Sequence, residues 1–87
     1  MVRYKVILSK TAEKELKKLP DNIIKRIVPA LKKLETNPKP KGCKKLLGFT
    51  DKWRIRVGDY RIIYDIQDKQ LIIDVIRIAH RGSVYDA

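Results

Sequence analysis

The stretch from Lys52 to Tyr64 constrains the fold more than any other part of this chain. It reads Lys-Trp-Arg-Ile-Arg-Val-Gly-Asp-Tyr-Arg-Ile-Ile-Tyr, with apolar and charged residues alternating on either side of Gly58-Asp59. A period of two marks half-buried strands, and a Gly-Asp pair between them suits a two-residue hairpin turn of type I′ or II′. That loop length fixes the register: Val57 faces Tyr60, Arg56 faces Arg61, Ile55 faces Ile62, Arg54 faces Ile63 and Trp53 faces Tyr64. Side chains alternate between the two faces of a sheet. One face therefore carries Trp53, Ile55, Val57, Tyr60, Ile62 and Tyr64. The other carries Arg54, Arg56 and Arg61 with Ile63.

Folding alone does not select that second face. Like charges directly opposite, with Cβ atoms ~5 Å apart, destabilise a strand pair. A solvated outer face is the plain alternative. An anion completes the cluster better, and a nucleic-acid phosphate fits the planar, always-charged arginine fork.

Composition points the same way. The net charge is +11 over 87 residues, and charge of that size draws in polyanions. Residues 9–48 hold eleven Lys and one Arg against four acids, whereas residues 49–87 hold five Arg and two Lys against six acids. The lysines fall at helix-surface positions and the arginines gather in the strands. A chain this short has no room for a second core, so residues 1–87 are expected to form a single domain. No apolar run approaches the ~18 residues of a membrane span, and Met1 to Leu8 alternates with Arg3 and Lys5, unlike a signal peptide. One cysteine, Cys43, excludes an internal disulfide, and with one histidine it excludes a Cys/His metal cage. A cytoplasmic protein with no membrane partner is expected.

Val2 to Leu8 alternates as a first strand, with Tyr4, Val6 and Leu8 on one side. Ser9 can cap a helix in which Ala12, Leu16 and Leu19 recur at helical spacing, with Lys14, Glu15, Lys17 and Lys18 on the wet face. Pro20 ends it. Asp21 reads as the next N-cap, ahead of a broad stripe of Ile23, Ile24, Ile27, Val28, Leu31 and Leu34. Pro29 is expected to kink that helix or break it. Residues 38–51 read as a basic loop in which Lys39, Lys41, Lys44 and Lys45 can steer a nucleic acid and Leu46, Leu47 and Phe49 tuck beneath. Gln67 to Gln70 forms a turn. Leu71 to Ala79 is nearly continuous in apolar residues, as in an interior strand, and is placed between the first strand and the hairpin, parallel to the first. The expected fold is α+β: an N-terminal strand, a helical hairpin and a three-stranded antiparallel meander. Together they make one four-stranded, mostly antiparallel sheet with the helices packed on it.

The opening strand, the Leu-Pro-punctuated helical hairpin, Leu-x-Gly, the Arg54 to Tyr64 motif, the apolar strand and His-Arg-x-x-x-Tyr at residues 80–85 resemble the RelE/ParE superfamily of type II toxin–antitoxin toxins. The resemblance spans essentially the whole chain. Its RelE branch implies a ribosome-dependent, metal-independent endoribonuclease that cleaves mRNA in the ribosomal A site and halts translation. It also implies a cognate antitoxin as partner and no cofactor. Matched by motif, the two basic residues of the second strand fall at Arg54 and Arg56. The other catalytic positions fall at Arg61, Arg81 and Tyr85. Arg54 is expected to contact RNA, together with Lys44, Lys45 and Lys52, which are read from the basic stretch and not from the motif.

The chemistry is consistent with those residues. Attack of a 2′-hydroxyl on the adjacent phosphate needs a base, an acid for the leaving 5′-oxygen and cations for the phosphoryl oxygens. Arg56 and Arg61 supply cations, Arg81 stabilises the leaving oxygen, and Tyr85 stacks on a base or aligns the phosphate. The best-known RelE enzymes carry lysines where this chain has Arg54 and Arg56, and an arginine almost never releases its proton. His80, whose ordinary pKa lies near 6.5, is the substitute considered for acid or base. Catalysis that is mainly electrostatic is the other. Two further readings compete: a ParE-like toxin that acts on DNA gyrase without cutting RNA, and a basic RNA-binding or ribosome-associated module.

Overall fold

The computed structural model describes residues 2–46, 48 and 51–80. In chain order the elements are β1 (Lys5–Leu8), α1 (Lys10–Lys17), α2 (Asp21–Leu34), β2 (Lys44–Lys45), β3 (Lys52–Val57), β4 (Tyr60–Gln67) and β5 (Ile72–His80). One five-stranded sheet runs β1-β5-β4-β3-β2. The β1–β5 pair is parallel and the other three are antiparallel. The interior position of β5 and its parallel pairing match the sequence expectation. The fifth strand does not. β2 is only two lysines long, inside the stretch read as loop, and so short an edge strand leaves no periodicity to read.

The helices pack on one face of the sheet. Ser9 accepts from the N–H of Ala12 at 3.1 Å and opens α1. Asp21 is the first helical residue of α2 and not its cap. That place falls to Pro20, whose carbonyl accepts from the amides of Ile23 and Ile24, both at 3.0 Å. Asp21 still benefits the helix, as a carboxylate beside its positive end. Pro29 neither breaks nor divides α2, which continues to Leu34. Pro29 and Lys25 are both exposed, so the carbonyl that loses its donor lies on the solvent side. Ile27, Leu31 and Leu34 of α2 meet Ile55, Ile62, Tyr64, Ile73 and Val75 of the sheet in a core less than a tenth exposed.

A bulge in β5 changes which residues face that core. Ile63 pairs with Arg77 but Tyr64 pairs with Val75, leaving Ile76 as an extra residue. Ile73 and Val75 point inward before the bulge, and Ile78 after it. Both parities of the strand take a turn at the core, which is a second reason for its unbroken apolar run.

β1 flanks only Ile72 to Val75, and α1 covers the edge of β5 beyond. Ser9 donates its hydroxyl to the Ile76 carbonyl at 2.9 Å. Glu15 accepts from the Ile78 amide at 2.8 Å and from the Arg77 guanidinium at 2.8–3.1 Å. Glu15 is therefore not the solvated residue that helical spacing suggests. Its carboxylate stands where a neighbouring strand would otherwise satisfy the edge.

Candidate nucleic-acid interface

The hairpin has the register its sequence dictates, from Trp53 opposite Tyr64 to Val57 opposite Tyr60, and Lys52 extends it opposite Asp65. Gly58 takes φ +60°, and among the described residues only Leu71 is a non-glycine with positive φ. Asp59 thus has negative φ, the combination of a type II′ turn. Arg26 of α2 lies over this turn. A Cβ on Gly58 would meet its guanidinium at 3.0–3.3 Å.

Arg56 stands directly opposite Arg61 on the face turned away from the helices, and Arg54 is opposite Ile63. Across the other edge of β3, Lys44 is opposite Arg54, so Lys44 joins Arg54, Arg56 and Arg61 on this outer face. Its floor is apolar: Ile63, across from Arg54, is 3% exposed and Ala79, across from Arg61, is 6% exposed. An apolar floor weakens dielectric screening and strengthens the pull of the guanidinium groups on an anion. Among the described residues no hydrogen bond or ion pair engages Arg54 or Arg56. The face changes sign toward β1. Lys52 is paired with Asp65 at 3.3 Å, and Asp65 stands opposite Asp74 on β5.

The other sequence candidates separate. Lys45 is opposite Trp53 and so falls on the helix-side face. Lys52 is on the cationic face, but the carboxylate of Asp65 offsets its charge. His80 pairs with Tyr60 and meets its ring edge-on, with centroids 5.2 Å apart and planes at 86°. Tyr60 packs against the core, which puts His80 on the face opposite the arginines. The bulge at Ile76 is the cause, because it reverses the parity of β5 between Val75 and His80. Arg81 and Tyr85 lie outside the described residues, as do Leu47 and Phe49.

The hairpin aromatics are structural. Tyr64 is fully buried and donates its hydroxyl to the Pro38 carbonyl at 2.6 Å. Burial raises its pKa above the ordinary phenol value, with a smaller contribution from nearby Cys43. Lys39 places its Nζ 4.6 Å from the centre of the Trp53 ring, a cation–π contact. Both contacts tie residues 38 and 39 to the sheet. Sequence reading missed this tether, and it also missed the place of Lys44 beside Arg54. No local signal marks the second, because seven residues separate Lys45 from its partner Trp53.

Fold and face together define a small α+β protein with a cationic outer sheet surface at the hairpin end. A family model described as the ParE toxin of type II toxin–antitoxin systems, parDE, matches residues 6–85. The chain belongs to this toxin family. It is 36% identical to Toxin RelE3 of Methanocaldococcus jannaschii over 86 residues, covering 94% of this chain and 96% of the relative. To Toxin RelG of Mycobacterium tuberculosis it is 30% identical over 83 residues, covering 94% and 95%. Among solved structures, the toxin chain of the archaeal RelE–RelB complex from Pyrococcus horikoshii superposes with a TM-score of 0.82 at 32% identity, covering 97% of this chain and 100% of that one. The RelBE2 toxin–antitoxin complex of Mycobacterium tuberculosis gives 0.79 at 32% identity, covering 92% and 100%. These relatives put the chain on the RelE-like side of the RelE/ParE superfamily.

Proposed function

We propose that this chain is the toxin of a type II toxin–antitoxin module and a ribosome-dependent endoribonuclease, held inactive by a cognate antitoxin. The observation that carries the reading is the directly opposed Arg56–Arg61 pair on an apolar floor. The substrate's 2′-hydroxyl gives its proton to water as its oxygen attacks the adjacent phosphorus, the bond to the 5′-oxygen breaks, and that oxygen takes a proton from water, leaving a 2′,3′-cyclic phosphate and a 5′-hydroxyl. Arg56 and Arg61 hold the non-bridging oxygens as charge builds on them. Arg54 and Lys44 bind the flanking backbone, and Arg81 and Tyr85 are assigned to the leaving oxygen and to alignment of the phosphate. With arginine at both β3 positions, the acceleration is chiefly electrostatic. The nucleophile belongs to the substrate, so the scheme invokes no cofactor.

Ribosomal mRNA as substrate places the action in the cytoplasm, and no helix among the described residues is long and apolar enough to cross a membrane. Adding the purified protein to a translating extract and mapping mRNA ends by primer extension tests the proposal. Codon-phased cuts that require ribosomes are expected. One observation favours a second reading, namely that the matching family model is described as a ParE toxin. Intact mRNA together with cleaved supercoiled DNA in a gyrase assay would select it.

A further inference from the structure

The two residues of β2 do not set their own register. Lys44 is opposite Arg54 and Lys45 is opposite Trp53. A slip of one residue puts Lys45 opposite Arg54 and Leu46 opposite Trp53, and it exchanges the lysine that faces outward. Both registers set a lysine against Arg54, where like charges repel. The slipped one also gives Trp53 an apolar partner. Local pairing therefore favours the register that is not adopted, and the adopted one is held from outside the strand. The hold lies at the start of the preceding loop. Lys39 places its Nζ 4.6 Å from the centre of the Trp53 ring, and the Pro38 carbonyl accepts from the Tyr64 hydroxyl at 2.6 Å. The segment from Lys39 to Lys45 thus begins and ends on Trp53, with the ring under Lys39 and the backbone across from Lys45. Between those points the chain is closed into a turn: Gly42 has φ +92°, and the Cys43 amide donates to the Pro40 carbonyl at 3.0 Å. A slip has to fit one more residue between the same two points, which opens the turn or lifts Lys39 off the ring.

We propose that Lys39 is a positioning residue for RNA binding: seated on Trp53, it fixes the register of β2 and so selects Lys44, and not Lys45, as the lysine beside Arg54. The inference rests on the toxin reading above and gives Lys39 a role other than steering. Its ammonium engages the indole ring, and Trp53 packs against the core on the face away from the arginines. Lys39 therefore reaches the RNA only through the strand it places. Selection matters because Lys44 and Lys45 are chemically identical. The sheet parity at one position decides which of them adds its charge to Arg54, Arg56 and Arg61.

Amide hydrogen exchange and RNA binding test the proposal together. Leu46 donates its amide to the Lys52 carbonyl at 2.9 Å in the adopted register. In the slipped one that amide points away from β3, because bonded positions alternate along an antiparallel ladder. Lys39→Gln is expected to speed exchange at Leu46 by about 2–5-fold, the scale of one exposed cation–π contact. Lys39→Arg keeps a cation over the ring and should restore the parent rate. In the parent, Lys44→Ala is expected to weaken binding of single-stranded RNA by about 5-fold, the scale of one phosphate contact, and Lys45→Ala to leave it unchanged. With Lys39→Gln in place, the Lys44→Ala loss should shrink and a Lys45→Ala loss should appear, an exchange that simple loosening of the strand does not produce. All three lysines are exposed, and circular dichroism checks that the variants fold. Parent-like exchange at Leu46 in Lys39→Gln, or a Lys45→Ala loss that never appears, overturns the inference and leaves the toxin reading standing. A parent chain that binds no RNA overturns both.

Discussion

Arg61 brings together the conflict and the use of the hairpin. Its like-charged partner Arg56 makes the empty face costly and the phosphate-bound face favourable, so removing either arginine is expected to act on the bound state. Arg61→Ala should lower ribosome-dependent cleavage by about 10²-fold or more, the scale of deleting one preorganised donor to a developing charge, while circular dichroism shows the variant folded. His80→Ala should leave cleavage within a few-fold of the parent, because His80 packs against Tyr60 on the opposite face. A large loss would return His80 to the machinery. Tyr64 gives a prediction in pH. Its folded pKa is raised above the unfolded value of about 10. Below pH ~10 both states keep the proton and the contribution to stability is complete. Above it the unfolded chain releases the proton first, so stability falls with rising pH until the folded pKa is passed. Tyr64→Phe should lose about 1 kcal/mol at neutral pH with the Pro38 bond, and should show a shallower alkaline decline in melting temperature.

Among the elements, α1 carries more than its amphipathic pattern suggests. Glu15 replaces a missing strand for the second half of β5, with both members of the Glu15–Arg77 pair about three-quarters buried. Glu15→Ala strands the Ile78 amide and the Arg77 charge together and should cost on the order of 2–3 kcal/mol in urea denaturation. An unchanged midpoint would show that water replaces the carboxylate without loss. The helical spacing of Glu15 was visible in the sequence, yet its partner lies at Ile78, 63 residues away, and no local pattern reports such a contact. The β5 bulge is similar. A continuous apolar run is compatible with either parity, so nothing local places the extra residue at Ile76. That one residue decides the face on which His80 emerges. The hairpin register, by contrast, follows from two residues of turn, because loop length and alternation leave one solution.

Over the whole molecule, charge is sorted and not merely abundant. Cations occupy the hairpin end of the outer face, and Asp65 and Asp74 lie nearer β1. RNA binding is therefore expected to use few contacts despite the net charge of +11. With Lys44, Arg54, Arg56 and Arg61 as the phosphate ligands, the plot of log affinity against log salt should have a slope of about −3 for single-stranded RNA, following roughly −0.7 per contact. A slope near −7 would mean that the helix lysines bind as well and that the face is not the interface. The sequence by itself determined the hairpin and its register, the two faces of that hairpin, the order of β1, β5 and the hairpin, and the family. Each of these rests on periodicity or on short-range turn geometry, which the chain carries locally. Only the tertiary structure decided that Lys44 joins the arginines, that Asp65 offsets Lys52 and that His80 lies on the far face. Those three depend on where one strand stops or slips against another, and that is set by packing between residues distant in the chain.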